Sequence, residues 1–458
     1  MIKKIIKNRL SILCLIVIIS SLFILAACGQ APGAQTPSEA EIRIGDNASL
    51  TGMFSPFSIG ATFGLRTAVD DINKEGGVYV KEYGRKLPVK LITVDNESDQ
   101  TKASALTEDL ILKDKVHYLT SDVASTTTSN PMSVVAERNH IPFINGAGPV
   151  TSFVAARMGV DPPWDYSWAI GFGVAIPVPE GDFRYGKPGY ELFELWSDFL
   201  NVYGSQTNKK VGVFASADPD GTAWYRSFPS AVEKIGLEPV GVDKDFGLFP
   251  METTDFSSYV TEWKKNNCEI LVGNSPGNVF GNMWKQCYGL GYVPKICIAG
   301  RAAMFYEDAS SWGGDLPLGV CSEHDWTYTV PAEYFPGIGG RTPQTLYEQW
   351  AKETGQPMNW CMGYGYAIGQ VIFDAIERAG TLEPLPLNEA TRTTDLETIS
   401  GRVVFTPEEH FSRQPMSFGQ WQKVNTPQGW EREIIFSNNE FIKPTAKPIF
   451  PIPTTTFK

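Results

Sequence analysis

One serine of this chain stands in a context that is typical of a nucleophile. Residues 273–277 read Gly-Asn-Ser-Pro-Gly and fit the G-x-S-x-G pattern, which places a serine, here Ser275, on a sharp turn between a strand and a helix. Such a hydrolase also uses the backbone N–H of the next residue to stabilise an oxyanion, and Pro276 has none. His324 and His410 lie downstream and leave a catalytic triad formally open. The sequence therefore favours a protein that is not an enzyme, with a serine hydrolase as the least favoured alternative.

Polar residues also gather where predicted strands end, which is where ligands collect in open α/β sheets. Residues 120–130 read Thr-Ser-Asp-Val-Ala-Ser-Thr-Thr-Thr-Ser-Asn and follow a strand predicted over residues 116–120. The hydroxyls of Ser125 and Thr126, together with the free N–H groups of a helix start, suit a carboxylate. Hydroxyl side chains also cap helices in proteins generally, and the two roles are compatible.

Two more strand ends carry candidate binding groups. Residues 218–221 read Asp-Pro-Asp-Gly after a strand predicted to end at Phe214. The carboxylate of Asp220 suits an amine, although this sequence also forms turns and helix caps on its own. Residues 145–149 read Asn-Gly-Ala-Gly-Pro, and glycines allow a ligand to approach the backbone closely.

The first 27 residues have the pattern of a secretory leader. Four basic residues within residues 3–9 precede an uncharged run over residues 10–27, and residues 25–28 read Leu-Ala-Ala-Cys. A membrane-spanning helix needs about 20 apolar residues, so the run nearly suffices for one. The small residues before Cys28 and the polar sequence after it, which has no positive flank, favour a cleaved signal. The tetrapeptide resembles a bacterial lipobox, which implies cleavage before Cys28, acylation of its thiol and stable anchoring by two or more lipid chains.

Composition describes the rest of the chain as a large acidic globular body. Hydrophobic residues make up 42% of the chain and charged residues 20%, and about 430 residues follow the leader. That length exceeds one ordinary core and predicts two lobes. Removing the leader, with its four basic residues and no acidic one, takes the formal net charge from −12 to −16. Such a charge repels phosphate backbones, so nucleic acid is excluded as a partner.

Cysteine and histidine usage gives no sign of a metal or cofactor site. Beyond Cys14 in the leader and the lipobox Cys28, an odd number of cysteines remains, without CxxC or zinc-ligand spacing, and the chain has only four His. P-loop, G-x-G-x-x-G and H-E-x-x-H patterns are absent as well. We predict no metal and no cofactor, and buried free thiols for most of the cysteines. The remaining cysteines are Cys268, Cys287, Cys297, Cys321 and Cys361.

Strands and helices are predicted to alternate in two series, which is typical of parallel sheets covered on both faces. The Pro- and aromatic-rich residues 159–168 separate the two series. The predicted fold is therefore α/β, with two doubly wound parallel-sheet lobes. Predicted strands cover residues 41–45, 87–94, 116–120, 141–144, 210–214, 238–242, 269–273 and 295–298. Predicted helices cover residues 64–73, 101–113, 130–139, 190–203, 222–235, 254–266 and 279–290.

The start of the body carries a family signature. Residues 44–52 read Ile-Gly-Asp-Asn-Ala-Ser-Leu-Thr-Gly, and residues 68–78 read Ala-Val-Asp-Asp-Ile-Asn-Lys-Glu-Gly-Gly-Val. Both are similar to the amino-terminal signature of the Leu/Ile/Val-binding periplasmic proteins of ABC transporters, and matching blocks continue in order to about residue 420. The resemblance implies the type I periplasmic-binding fold, in its lipoprotein form, which closes on a ligand by hinge bending. The later blocks lie at residues 140–144, 254–259, 364–376 and 401–407.

The resemblance also implies the domain limits. The lobes of this family are joined by a three-strand hinge, which we expect near residues 168–171, 319–325 and 402–405. The expected segments are a signal peptide over residues 1–27, a flexible tether over 28–40, a first lobe over 41–168 and 325–402, and a second lobe over 169–324 and 403–458.

Three ligand contacts follow from the resemblance. They are Ser125, the backbone carbonyl of Ala147 and an aromatic ring at Phe57. The Phe57 ring stacks but donates no hydrogen bond, and packing between the lobes is an equally open role for it. The usual Thr two residues after Ala147 is replaced by Pro149, so one carboxylate anchor is missing unless a hydroxyl at residues 151–152 takes its place.

Arg301 is the main departure from the family pattern. The amino-acid binders of the family present a Glu at this point, which neutralises the ammonium group of the ligand. An Arg repels that group and suits a carboxylate, or else forms a salt bridge across the closing lobes. An organic acid, with an aromatic ring accommodated nearby, thereby becomes more favoured than a leucine-like ligand. Thr126, Asp220 and Ser275 complete the candidate ligand site.

These observations predict an extracytoplasmic solute-binding lipoprotein of an ABC importer, located in the periplasm or on the outer face of the cell membrane. We expect a monomer, anchored through Cys28, that binds a small amino acid or organic acid between its lobes. Its other partners would be the membrane permease and the ATPase of the transporter. A ligand-sensing receptor of the same fold, acting on a chemoreceptor or kinase, is the alternative that sequence does not separate.

Overall fold

The computed structural model describes residues 40–121, 126–174, 176–406 and 408–454. The predicted leader, Cys28 and the candidate Ser125 lie outside these ranges. The folded body, Ile42–Lys458, is one compact unit.

Each of the eight predicted strands overlaps a strand of the structure, and further strands occur among and after them. In chain order they are β1 (Ile42–Ala48), β2 (Val78–Val80), β3 (Arg85–Leu87), β4 (Val89–Asp95), β5 (Tyr118–Ser121), β6 (Phe143–Pro149), β7 (Ser167–Phe172), β8 (Lys210–Ser216), β9 (Glu238–Val240), β10 (Leu248–Phe249), β11 (Ile270–Asn274), β12 (Ile296–Gly300), β13 (Val320–His324), β14 (Asp395–Thr398), β15 (Gly401–Val404), β16 (Phe411–Arg413), β17 (Ser417–Lys423) and β18 (Trp430–Phe436).

Each of the seven predicted helices overlaps a helix of the structure, and further helices occur among and after them. In chain order they are α1 (Ser55–Lys74), α2 (Gln100–Leu112), α3 (Thr126–Asn139), α4 (Val150–Met158), α5 (Leu192–Tyr203), α6 (Pro219–Lys234), α7 (Ser257–Lys265), α8 (Gly277–Gly289), α9 (Tyr306–Trp312), α10 (Pro343–Thr354), α11 (Cys361–Ala379) and α12 (Pro384–Arg392).

Two large sheets carry the fold. The first has the order β16-β7-β6-β5-β1-β4, and its strands are parallel. The second has the order β10-β8-β11-β12-β13-β17-β18, with β9 also paired to β8. Its strands are parallel as far as β13, and β17 and β18 add an antiparallel edge. We call each sheet with its helices a lobe, and the α/β fold of two parallel-sheet lobes is confirmed.

The chain passes between the sheets after β7, after β13 and between β16 and β17. The limits expected at residues 168 and 402 fall inside β7 and β15. Strand β16, expected in the second lobe, pairs in parallel with β7 in the first sheet, because the chain crosses over only at residues 414–416. The division into domains stays a prediction in its details.

Helix α1 begins earlier than predicted and packs very closely on α11. Phe57 lies in the first turn of α1, where a proline at the preceding residue favours a helix start. A Cβ atom on Gly64 would lie 1.9 Å from the carbonyl oxygen of Met362, and one on Gly365 would lie 1.9 Å from that of Ala61. The two backbones therefore meet at glycines, and α11 belongs to the first lobe.

The cysteines lie in the cores, as expected. Cys268, Cys287, Cys297 and Cys321 are free and buried. Burial raises the pKa of Cys268 and of Cys321 to about 12, so these thiols are not reactive in the native state.

Candidate functional site

The two lobes touch where strands end, through a hydrogen-bonded bridge. Asp220, near the start of α6 in the second lobe, accepts a hydrogen bond of 3.0 Å from the hydroxyl of Thr126 at the start of α3. It accepts another, of 3.2 Å, from the hydroxyl of Ser152 in α4. We call these three residues the interlobe bridge. It shows that the carboxyl ends of the parallel strands in the two sheets face each other.

Asp218 takes the helix-capping role that the sequence left open for this segment. It is the N-cap of α6 and accepts bonds of 3.1 Å from the backbone N–H groups of Asp220 and Gly221. Asp220 is thereby left to face the other lobe. Any side chain at Gly221 would collide with the carbonyl of Ser216, since a Cβ atom there would lie 2.1 Å from that oxygen.

Arg301 is already paired within its own lobe. Its guanidinium donates to both carboxylate oxygens of Asp218, at 3.1 and 2.7 Å, and to the hydroxyl of Ser216 at 3.0 Å. Burial alone would raise the pKa of Asp218, but the charge and hydrogen bonds of Arg301 outweigh it and hold that pKa below its ordinary value. The expected salt bridge of Arg301 therefore forms, but inside the second lobe and not across the closure.

The ion pair with Asp218 reduces the positive charge and the number of hydrogen-bond donors that Arg301 can present to a ligand. A second carboxylate, that of Asp220, lies 3.7 Å from the guanidinium, so the three side chains together carry a net negative charge. The Nε atom of Arg301 is buried and has no hydrogen-bond partner among the described residues. Its backbone is in the left-handed region, at φ 64°, which is uncommon for a non-glycine residue and is found at functional sites. This N–H is therefore a candidate donor to a ligand carboxylate.

Phe57 contacts the opposite lobe. Its ring meets the ring of Phe305, which follows β12, edge to face with centroids 4.5 Å apart. Trp360, before α11, lies 6.2 Å from Phe57 and stacks at 6.0 Å on Phe305. The three rings form one aromatic cluster across the cleft. Interlobe packing is therefore one role of Phe57, and it does not conflict with ligand stacking.

Two cavities are each lined from both lobes. The smaller, about 260 Å³, includes Phe57, Arg301 and Asp308 among its walls. The larger, about 620 Å³, includes Thr126 and Ser152 of the first lobe and the start of α6 in the second. Burial, with the charge of the neighbouring acid at residue 307, raises the pKa of Asp308 to about 7. The region between the lobes thus has room for a small polar molecule.

Ser275 lies between β11 and α8, as a nucleophile elbow would. Its hydroxyl is fully buried and has no hydrogen-bond partner among the described residues. The ring of His410 stacks on that of Trp168, with centroids 3.8 Å apart, and its Nδ1 atom lies 3.1 Å from the carbonyl oxygen of Ser167. His324 is buried in β13, and burial lowers its pKa well below the ordinary value. Neither histidine contacts Ser275, so the described residues do not form a triad.

Two predicted ligand contacts of the first lobe, Ser125 and the carbonyl of Ala147, stay predictions. Ser125 lies outside the described residues. Ala147 lies in β6, between Gly146 and Pro149, where the register with β7 shifts. A shifted register leaves backbone groups without ladder partners, which suits the predicted carbonyl contact.

Sequence analysis selected most of the candidate site residues, but it did not identify the side chains that they contact. Asp218, Phe305 and Trp360 come within reach of predicted residues only through the fold. A hydroxyl at residues 151–152 had been considered as a replacement for the missing Thr, and Ser152 does join the bridge. A signal was available for Asp218, since Asp before Pro at a helix start is a common cap.

Two parallel sheets whose carboxyl ends face each other form the kind of cleft in which two-lobed α/β proteins bind small ligands. Sequence comparison agrees, since the profile described as Periplasmic binding protein matches residues 41–426. The chain belongs to the periplasmic binding protein family, which confirms the resemblance and makes the location extracytoplasmic. None of the helices in the described ranges combines the length and the hydropathy that crossing a bilayer requires.

Individual relatives are similar at low identity. Leu/Ile/Val-binding protein homolog 3 of Brucella melitensis is 25% identical over 52% of this chain, and the match spans 55% of that relative, little more than half its length. The structure of LivJ from Streptococcus pneumoniae in complex with isoleucine has a TM-score of 0.64, at 15% identity, covering 90% of this chain and 100% of that one. A solute-binding protein from Rhodopseudomonas palustris BisB5, in complex with 3,4-dihydroxybenzoic acid, has a TM-score of 0.63 at 18% identity, covering 88% and 98%.

Proposed function

We propose that this protein is the extracytoplasmic solute-binding lipoprotein of an ABC importer. It holds a small amino acid or organic acid between its lobes and delivers it to the permease. The observation that carries this proposal is the interlobe bridge, because it holds together two sheet edges that otherwise present polar groups to a ligand. Related folds in complex with isoleucine and with a dihydroxybenzoic acid support both ligand classes.

The proposed contacts come from both lobes. Ser125, Thr126 and the carbonyl of Ala147 present the first lobe to the ligand, and Phe57 covers it with a ring. In the second lobe we assign a ligand carboxylate to unpaired buried donors, the Nε–H of Arg301 and the hydroxyl of Ser275.

Asp220, the remaining member of the predicted site, connects the two lobes. Asp220 keeps its contact with Thr126 and holds the lobes together around the ligand. Binding then becomes coupled to closure, because a ligand adds contacts that exist only when the two edges face each other.

A thermal-shift screen of the purified protein tests this function. The panel contains amino acids, aliphatic acids, aromatic acids and amides, and a ligand at 100 times its Kd stabilises the folded state by about 2.7 kcal/mol. We expect carboxylate-bearing compounds to raise the melting temperature. A protein that responds to none of these classes would contradict the proposal.

The site assignments have their own test. Ser275→Ala and Arg301→Gln should each weaken the binding of a compound found in the screen, with a loss of roughly tenfold for one hydrogen bond to a charged group. Ser310→Ala, an exposed serine of the same lobe in α9, is the control and should bind as the parent does.

The lipid anchor is tested separately. In bacterial cells fed radiolabelled palmitate, the parent protein should carry the label and fractionate with membranes. Cys28→Ser should abolish both properties and leave ligand binding intact. Equal labelling of the two proteins would exclude acylation at Cys28. Gel filtration of the unacylated protein should give the mass of a monomer.

A further inference from the structure

Basic residues gather at one end of the first lobe, around the point where the chain enters the folded body. Strand β1 begins at Ile42, between β4 and β5 in the sheet. The backbone N–H of Ile42 donates to the carbonyl of Pro88 at 2.9 Å. Residues 78–90, which include the hairpin of β2 and β3, lead into β4, and residues 112–117 lead from α2 into β5. We call these two segments the entry face, because they lie on the two sides of Ile42.

The entry face is positively charged, although the protein is acidic. Its two segments contain six basic residues and two acidic ones, whereas the full chain has a formal net charge of −12. The bordering acids Glu41 and Glu75 are each matched by a basic neighbour, Arg43 and Lys74. The positive charge is therefore local to this end of the lobe. The basic residues are Lys81, Arg85, Lys86, Lys90, Lys113 and Lys115, and the acids are Glu82 and Asp114.

Several of these charges are available to a partner. Lys81, Lys86 and Lys115 are exposed, and none of the three forms an ion pair within the described residues. Lys86 donates to a backbone carbonyl at 2.7 Å, which leaves its charge unneutralised. Lys113 pairs with Asp109, but both side chains are exposed, and such a pair is weak. An anionic surface therefore has several lysines to attract.

The hairpin of the entry face also displays aromatic rings. One of its faces is buried against the lobe, and on the other face Tyr79 lies directly across from Lys86. Tyr79 and Tyr83 are 42% and 41% exposed. A Cβ atom on Gly84, at the tip, would meet nothing within 4 Å, so the tip projects from the body. Tyrosine rings with this mixed character are enriched at the level of lipid head groups.

The predicted lipid anchor lies within reach of this face. Thirteen residues separate Cys28 from Ile42. Even a fully extended chain of that length spans at most about 50 Å. Acylation of Cys28 therefore keeps the entry face close to a bilayer, and at the high effective concentration that results a weak attraction is enough to hold it there.

We infer that the entry face docks on the anionic phospholipid surface to which the chain is anchored. The inference rests on the lipid anchor of the proposed function and adds an electrostatic contact to it. Each basic residue near an anionic bilayer favours docking by about fivefold. Tyr79 and Tyr83 then lie among the lipid head groups, next to the lysines of the hairpin.

Docking by this face fixes how the first lobe is oriented. The strands of its sheet are parallel, so their amino ends lie together at the entry face and their carboxyl ends lie at the cleft. A docked body therefore holds its cleft away from the bilayer, on the side from which solute arrives.

Fluorescence quenching tests the inference with the full-length acylated protein in lipid vesicles. A maleimide fluorophore is attached to Tyr83→Cys or to Val202→Cys, an exposed position at the amino edge of the second sheet. Labelling is selective because Cys28 is acylated and the five cysteines of the body are buried. A fraction of the lipids carries a nitroxide quencher on the head group. The anchor keeps the protein on the vesicle, so a loss of quenching reports undocking and not dissociation.

Lipid charge and salt should control the quenching. In vesicles of phosphatidylcholine mixed with phosphatidylglycerol, the probe at residue 83 should be quenched strongly and the probe at residue 202 only weakly. Vesicles of phosphatidylcholine alone should quench both weakly. Raising the salt concentration from about 0.1 M to about 1 M shortens the Debye length from about 10 Å to about 3 Å and should release the entry face.

Lysine variants that carry the probe at residue 83 isolate the charge. Lys81→Gln with Lys115→Gln should lower the ratio of docked to undocked protein about 25-fold, roughly fivefold for each lysine. Lys209→Gln with Lys234→Gln is the matched control, because these exposed lysines lie at the amino edge of the second sheet. Lys209 has a left-handed backbone, at φ 70°, as Lys115 has at φ 57°. The control should dock as the parent does.

The outcomes separate this inference from the proposed function. Equal quenching of the two probes, quenching that ignores lipid charge and salt, or docking that survives the loss of both lysines would overturn the docking role and leave solute binding standing. If the lysine variant melted at a lower temperature, the lipid and salt dependence of the parent would decide. A protein without an acyl chain would overturn the anchor and this inference with it. Solute binding is measured without vesicles in the thermal-shift screen, so its failure is recognised separately.

Discussion

The hydroxyl of Thr126 donates a hydrogen bond of 3.0 Å to the carboxylate of Asp220, and this bond joins α3 of one lobe to α6 of the other. Ser152 adds a second bond to the same oxygen. Both partners stand at helix starts that follow parallel strands, so the contact brings the two ligand-facing edges together. Opening the cleft must break both bonds.

Asp220→Ala should therefore favour the open form. The variant loses both hydroxyl contacts, and the lobes lose a link that is 8% exposed and thus little weakened by water. Small-angle X-ray scattering of the protein without ligand should give a larger radius of gyration than the parent. Asp243→Ala, an exposed acid of the same lobe, is the control and should scatter as the parent does. An unchanged radius in Asp220→Ala would contradict a bridging role.

The ion pair of Arg301 and Asp218 should contribute stability that depends on pH. The pKa of Asp218 is held below its ordinary value of 3.8, so the stability from the pair is fully present above that pH. It is lost as the pH falls through the lower pKa of the folded state. The pair is 12% and 16% exposed at its two side chains, so solvent screens it only in part.

Arg301→Gln should lower the free energy of unfolding by about 2 kcal/mol at pH 7, and the deficit should shrink below pH 4. Urea titrations at pH 7, 5 and 3 measure it. Arg226→Gln removes an exposed ion pair with Asp245 and should change stability little at any of these pH values. A deficit that stays constant from pH 7 to pH 3 would mean that the loss is one of packing and not of charge.

Phe57→Ala should weaken closure and ligand binding together. Its ring meets Phe305 edge to face at 4.5 Å, a contact across the lobes worth about 1 kcal/mol beyond the area that it buries. The affinity for a compound found in the screen should fall by roughly fivefold or more, and the fluorescence of Trp360 should change because its neighbour is gone. Phe57→Tyr keeps the ring and should retain the affinity. If Phe57→Ala bound as tightly as the parent, the aromatic cluster would have no part in closure.

Much of the fold follows from sequence because local patterns carry it. Apolar runs bounded by Gly, Pro and polar residues predicted strands such as β11 and β12 within a residue or two. The antiparallel edge was missed, since β18 reads Trp-Glu-Arg-Glu-Ile-Ile-Phe and its buried Arg432 breaks the apolar pattern.

The candidate site was also predictable only in part. Thr126, Asp220 and Arg301 could be selected as polar residues at strand ends. Their pairing could not, because Thr126 and Asp220 are separated by 94 residues and Arg301 and Asp218 by 83.

The contact between α1 and α11 yields a prediction that separates packing from helix propensity. A Cβ atom on Gly365 would lie 1.9 Å from the carbonyl oxygen of Ala61, and that backbone cannot move without shifting α1. Gly365→Ala should therefore lower the free energy of unfolding by at least about 2 kcal/mol, because overpacking forces the helices apart. Chemical denaturation monitored by circular dichroism measures it.

Gly289→Ala is the matched control for that prediction. Gly289 ends α8, and an added Cβ atom there meets nothing within 4 Å. Alanine in a helix is intrinsically favoured over glycine by up to about 1 kcal/mol, so this variant should be as stable as the parent or more so. Opposite signs for the same substitution at residues 365 and 289 would establish that close backbone approach sets the choice at Gly365. If Gly365→Ala were as stable as Gly289→Ala, α1 and α11 could separate without a cost in the free energy of unfolding.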